Sequence, residues 1–145
     1  MRRVLPGTIC LLLLAFAKFA IPQTPERKPQ EVVYLTSECS DTVGGIAASA
    51  LREKIRASVG YTLAFGSTKG HSGLEITLTC AALPGHESSG SAVSYVFAVF
   101  LSDGARFFVE PGVGVVGVDA VDGWTQNVFS QFDNWVSIAH KAMSN

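Results

Sequence analysis

This sequence carries little charge. Asp, Glu, Lys and Arg make up 16% of the 145 residues, the net charge is -1, and 48% of the chain is hydrophobic. That balance excludes a disordered tail, a coiled coil and a collagen-like rod, and leaves room for one ordinary globular domain. The basic residues are too few and too scattered to form the stripe that displaces counterions from nucleic acid, so no nucleic-acid partner is expected. Lys28, Arg52, Lys54, Arg56 and Lys69 fall on different elements. Within the one cluster, helical geometry points Arg52 and Arg56 one way and Lys54 another, as on a solvated helix face.

Chemistry-bearing motifs are scarce too. The three histidines, His71, His86 and His140, have neither the i, i+4 spacing nor the Cys-x-x-Cys company of a metal site. The nucleophile context G-x-S-x-G does not occur, so Ser72 beside His71, and Ser88 or Ser89 near His86 and Glu87, supply residue types without a recognised setting. Gly112-Val113-Gly114-Val115-Val116-Gly117 does spell G-x-G-x-x-G. A dinucleotide fold, however, needs a further parallel strand ending in an acid after the helix that follows, and here the chain ends with that helix. Pro111 and the alternating valines read instead as a bulged or edge strand. No cofactor, no metal and no catalytic residue is assigned.

What is present begins at the N-terminus. Arg2 and Arg3 precede an uncharged run from Thr8 to Phe16 containing Leu11, Leu12, Leu13 and Leu14, and Ala15-Phe16-Ala17 places small residues where a signal peptidase reads them. Residues 1–17 are therefore expected to be a signal peptide, and the protein secreted or periplasmic. The alternative, an uncleaved anchor continuing through Phe19-Ala20-Ile21, is interrupted by Lys18. Without the leader, nine basic side chains face twelve acidic ones, and no stable membrane span is expected. Residues 18–30, with Pro22, Pro25 and Pro29 among charged residues, read as a flexible linker. Of the three cysteines, Cys39 and Cys80 remain after processing, and an even remainder in an exported chain reads as a disulfide.

Residues 31–145 carry regular patterns. Glu31 to Thr36 is β-branched and aromatic, a first strand. Asp41 or Thr42 caps a helix whose apolar positions Val43, Ile46, Ala47, Ala50, Leu51 and Ile55 recur at three and four, until Gly60 stops it. Tyr61, Leu63 and Phe65 alternate with polar or small neighbours, and a glycine-rich turn leads to Leu74, Ile76, Leu78 and Cys80. After a polar loop at 84–90, Val93, Tyr95, Phe97, Val99 and Leu101 alternate in turn. Ser102-Asp103-Gly104 marks a turn, and Phe107 starts a last strand. From about Ala120 one helical stripe holds Val121, Trp124, Val128, Phe132, Trp135, Val136, Ala139 and Met143, where core packing explains both tryptophans. The expected fold is an α+β two-layer sandwich, β-α-β-β-β-β-α, with a mostly antiparallel sheet and two helices on one face.

Alternation sorts the sheet into two faces. The helices should cover Tyr61, Leu63, Phe65, Leu74, Ile76, Leu78, Val93, Tyr95, Phe97 and Val99. The opposite face, with Thr62, Glu75, Thr77, Thr79 and Ser94 as its candidate interaction residues, is left to water or to a partner. These features fit a small non-enzymatic binding domain that meets another envelope or extracellular protein through that face, the glycine-rich loops or an edge strand. The rival expectation is a small secreted hydrolase using a loop histidine with a nearby serine or acid. A third is a ligand carrier with a pocket between the long helix and the sheet.

Overall fold

The computed structural model describes residues 30–66 and 68–144, so the expected leader and all but Gln30 of the linker lie outside the described residues. The elements run β1 Glu31–Cys39, α1 Thr42–Ala57, β2 Tyr61–Ala64, β3 Gly73–Ala82, β4 Gly90–Phe100, β5 Arg106–Gly117, a 3-10 turn Val118–Ala120, and α2 Val121–Met143. This is the expected order of strands and helices in an α+β fold. Among the described residues, no helix is long and apolar enough to cross a membrane.

The sheet itself is mixed, which corrects the expected mostly antiparallel arrangement. Its strand order is β2-β1-β3-β4-β5, with β1 parallel to both of its neighbours and antiparallel pairing from β3 to β5. The reason lies in two connections. Helix α1 returns the chain to the start of the sheet, so β2 runs alongside β1 as in any β-α-β unit. The glycine-rich segment after β2 then crosses β1 to begin β3 on its other side, where a hairpin turn was expected. Because this crossover travels in the opposite direction from the first, a right-handed path puts it on the face away from α1. His71 on this segment stacks on Tyr34 at 6.4 Å between ring centroids, and Tyr34 alternates with the core residue Val33.

Both helices lie on the other face and share one core with the sheet. Val33, Val43, Leu51, Ile55, Ile76, Leu78, Val93, Phe97, Val128 and Phe132 are essentially sealed from water. Burial of each larger side chain of this kind is worth about 2 kcal/mol against leaving it exposed. Asp41 is the helix cap: its Oδ1 accepts from the Gly44 amide at 2.7 Å, and its Oδ2 accepts from the fully buried Ser91 hydroxyl at 3.1 Å. That second bond ties the start of α1 to β4. Cys39 and Cys80 face each other in the parallel β1–β3 register and form the expected disulfide, with Cα atoms 4.4 Å apart. Gly44 packs directly on this bridge, since a Cβ there would overlap Cys80 and Asp41.

Three apolar positions depart from the expected burial. Phe65 is 68% exposed because β2 ends one residue earlier, and the Arg56 guanidinium lies 5.2 Å from its ring centre. Ile46 and Met143 sit at the margins of their helical stripes and stay exposed.

Candidate functional site

The helix-free face divides into two halves. In the upper half, Tyr34, Glu75 and Ala98 form one cross-strand row and all three are buried, as is Phe100 beside Tyr34. The crossover with His71 covers this half from one side, and Arg106 closes it from β5. Glu75 is 5% exposed, and its carboxylate takes two hydrogen bonds from the Arg106 guanidinium, at 2.5 Å and 3.0 Å. Glu75 is thus not an open interaction residue, contrary to expectation. A buried carboxylate must be paired, and alternation along one strand cannot reveal a cation that arrives from two strands away.

The lower half is open, and its rows follow from the strand registers. Thr36, Thr77, Val96 and Pro111 make one row, Glu38, Thr79, Ser94 and Val113 the next, and Ala81, Ala92 and Val115 the last. Thr79 and Ser94 are exposed and adjacent, and Thr77 is half-buried between them and the covered half. Thr62 is exposed but lies apart from these rows, at the sheet edge, where its hydroxyl donates to the Gln30 side chain at 2.8 Å. The exposed β-branched residues missing from the expected face are Val113 (82% exposed) and Val115 (64% exposed). Their pairing partners could not be named until β5 was known to continue through the glycine motif.

That motif has a packing explanation. Gly112 and Gly114 point to the helix side of β5, where the rings of Tyr95 and Trp124 lie across the strand. A Cβ at Gly112 would fall inside the Tyr95 ring, whose hydroxyl donates to Gln131 on α2 at 2.6 Å. The strand sits at the sheet edge and carries a register shift opposite Phe97–Val99, so the bulged edge strand read from Pro111 and the valines is what forms.

Neither chain comparison supplies a relative. No known family model and no curated protein matches this chain.

Histidine geometry distinguishes the loops from the helix. His71 precedes β3 and His86 follows it, so the two imidazoles stand at opposite ends of a ten-residue strand. Among the described residues, the histidine paired with a carboxylate is instead His140, whose Nε2 lies 2.8 Å from Glu31 Oε1. Beside it the Tyr61 hydroxyl donates to Asp133 at 2.7 Å, and these groups with Ser137 and Lys141 border a cleft of about 460 Å³. No spacing rule links Glu31 to His140, because one opens the first strand and the other lies near the end of the last helix. A second cleft, of about 350 Å³, runs between α2 and the β5 bulge against Trp135.

Burial, the hydrogen bond to Asp133 and the charges of Asp133 and Glu31 together hold the Tyr61 hydroxyl well above the usual tyrosine range. The folded state therefore keeps a proton that an unfolded tyrosine releases above about pH 10, and stability must fall as pH rises past that point. Tyr61→Phe is expected to cost about 1 kcal/mol at neutral pH through the lost hydrogen bond. Above pH 10 the deficit should shrink and then reverse, because phenylalanine has no proton to lose. Urea unfolding of both proteins from pH 7 to 11 measures this, and a pH-independent difference would contradict it.

Proposed function

We propose that this chain is an exported, secreted or periplasmic, binding domain that receives another envelope or extracellular protein on the open half of its sheet face. The observation that carries the proposal is the set of three rows through Thr36, Thr77, Thr79, Ser94 and the exposed Val113 and Val115. This is a surface of small polar and β-branched residues bearing one charge, Glu38, on a sheet whose other side is filled by two helices. Adjacent exposed apolar side chains such as Val113 and Val115, with little charge around them, mark surfaces that proteins bury against one another. Export is supported by the basic-then-leucine pattern of residues 1–17 and by the Cys39–Cys80 disulfide, which belongs to oxidising compartments.

A photo-crosslinking residue placed at Thr79 in the native host should give a covalent protein adduct. The same residue at Ser49, exposed on α1, should give none. Thr77→Arg with Thr79→Arg should abolish the adduct from Ser94 while leaving the melting temperature within a few degrees. Absence of any adduct from Thr79 or Ser94, or one indifferent to the two arginines, would overturn the reading.

A further inference from the structure

Among the described residues, strand β5 is the long free edge of the sheet, twelve residues against the four of β2 at the opposite edge. Its hydrogen-bonding phase is set at its end, where the Val118 amide donates to Ser89 O at 2.9 Å, toward β4. In an antiparallel ladder successive residues alternate between bonding inward and outward. Val116, Gly114 and Gly112 therefore bond to β4, whereas Gly117, Val115, Val113 and Pro111 turn their backbone groups outward. Pro111 agrees independently, since a proline within a paired strand must place its missing N–H on the free side. The outward N–H and C=O groups of Val113, Val115 and Gly117 form a template for another strand.

Natural edges are blunted by lysine, inward charge, proline, bulges or shortness, and β5 carries a proline at 111 and a bulge opposite Phe97–Val99, both before Gly112. From Gly112 to Gly117 this edge carries no charge at all, and its single proline removes one outward donor while leaving the rest. We propose that a second copy of this chain pairs here, β5 against β5 in antiparallel fashion about a two-fold axis at Gly114. The register follows from the side chains. Centring on Gly114 sets Val113 opposite Val115 of the other copy, twice over, so both exposed valines of each copy meet a β-branched partner on the open face. It also sets Gly117 opposite Pro111, so the outward amides of Gly117 and both valines find carbonyls. Centring on Val113 instead would face Val115 with Pro111, and centring on Val115 would face Val113 with Gly117; either loses valine pairs.

The result is a continuous ten-stranded sheet whose two open half-faces join across the axis. One strand pair buries less surface than a standard stable interface, so the dimer forms at high concentration and dissociates on dilution. The pairing shares Val113 and Val115 with the face of the proposed function but not Thr77 and Thr79, which lie two strands away, so arginines at those two positions should leave it intact.

Sedimentation equilibrium of protein purified from expression of the full chain tests it. The measured mass should climb toward twice the monomer value as concentration is raised to about 1 mM. Val113→Pro removes an amide that the ladder phase turns away from β4, and Val115→Lys adds a charge at the edge; each should abolish the rise while the protein still melts cooperatively. Under mild oxidation, a mixture of Val113→Cys and Val115→Cys proteins should cross-link more than either alone, because the register sets these two positions opposite each other. A monomer at every concentration would overturn the proposal. So would a dimer that both edge variants leave intact, or Val113→Cys linking best to itself.

Discussion

Reducing the Cys39–Cys80 bridge is expected to destabilise the domain by about 4 kcal/mol, the largest single effect predicted here. The two cysteines are 41 residues apart, and the loop they close holds α1, β2 and the crossover. In the chain-entropy model a cross-link of this span removes that much freedom from the unfolded chain, whereas the folded state gains little. Reduction is a cleaner test than substitution. The free thiols still occupy the space beneath Gly44, so no cavity opens and no hydroxyl is buried near the core. The melting temperature should drop by about 15 °C on addition of reductant. The urea m-value should rise as well, because the released unfolded chain exposes more surface. A loss below about 1 kcal/mol would show that parallel pairing of β1 with β3 holds this end of the sheet without the covalent link.

Removing the Arg106 guanidinium is expected to cost about 2 kcal/mol, because it leaves the largely buried Glu75 carboxylate without its partner. Glu75 is 5% exposed, between Tyr34 and Ala98 in its cross-strand row, and Arg106 meets both of its oxygens. The pair as a whole adds much less, since each ion was desolvated to make it and the Arg106 side chain remains 53% exposed. This asymmetry is what a double-mutant cycle detects. Arg106→Met alone should show the full loss. Glu75→Gln combined with Arg106→Met should recover most of it, because a neutral amide is far cheaper to bury than an unpaired carboxylate. Arg106→Lys should rescue only in part, as a single ammonium cannot match two oxygens at once. Equal losses for the single and double variants would mean that Arg106 acts through packing of its stem and not through charge.

Much of the fold was legible because local periodicity is a direct imprint of burial. The alternation of Leu74, Ile76, Leu78 and Cys80, the three-and-four spacing of Val43, Ala47 and Leu51, and the stripe from Val121 to Ala139 each correspond to an element whose apolar side lies in the core. Parity along strands also placed both cysteines on the helix side, which the packing of Gly44 on Cys80 bears out. The direction of strand pairing was not legible. A glycine-rich segment of the same composition serves as a hairpin turn or as a crossover, and which of the two forms depends on where β1 already lies. The candidate face was half-legible for the same reason: Thr77, Thr79 and Ser94 stand together, but Glu75 closes against Arg106 and Val113 and Val115 join from β5.

By itself, this sequence determined through its apolar periods five strands, two helices and a core between them. Those properties depend on neighbours along the chain, within reach of a period of two or of 3.6 residues. The tertiary structure alone decided which groups meet across the chain: Glu31 with His140, Glu75 with Arg106, and Gly44 with the Cys39–Cys80 bridge. Such meetings are set by strand order and register, and a one-residue change of register or an exchange of neighbouring strands would break each of them while leaving the local periodicities unchanged.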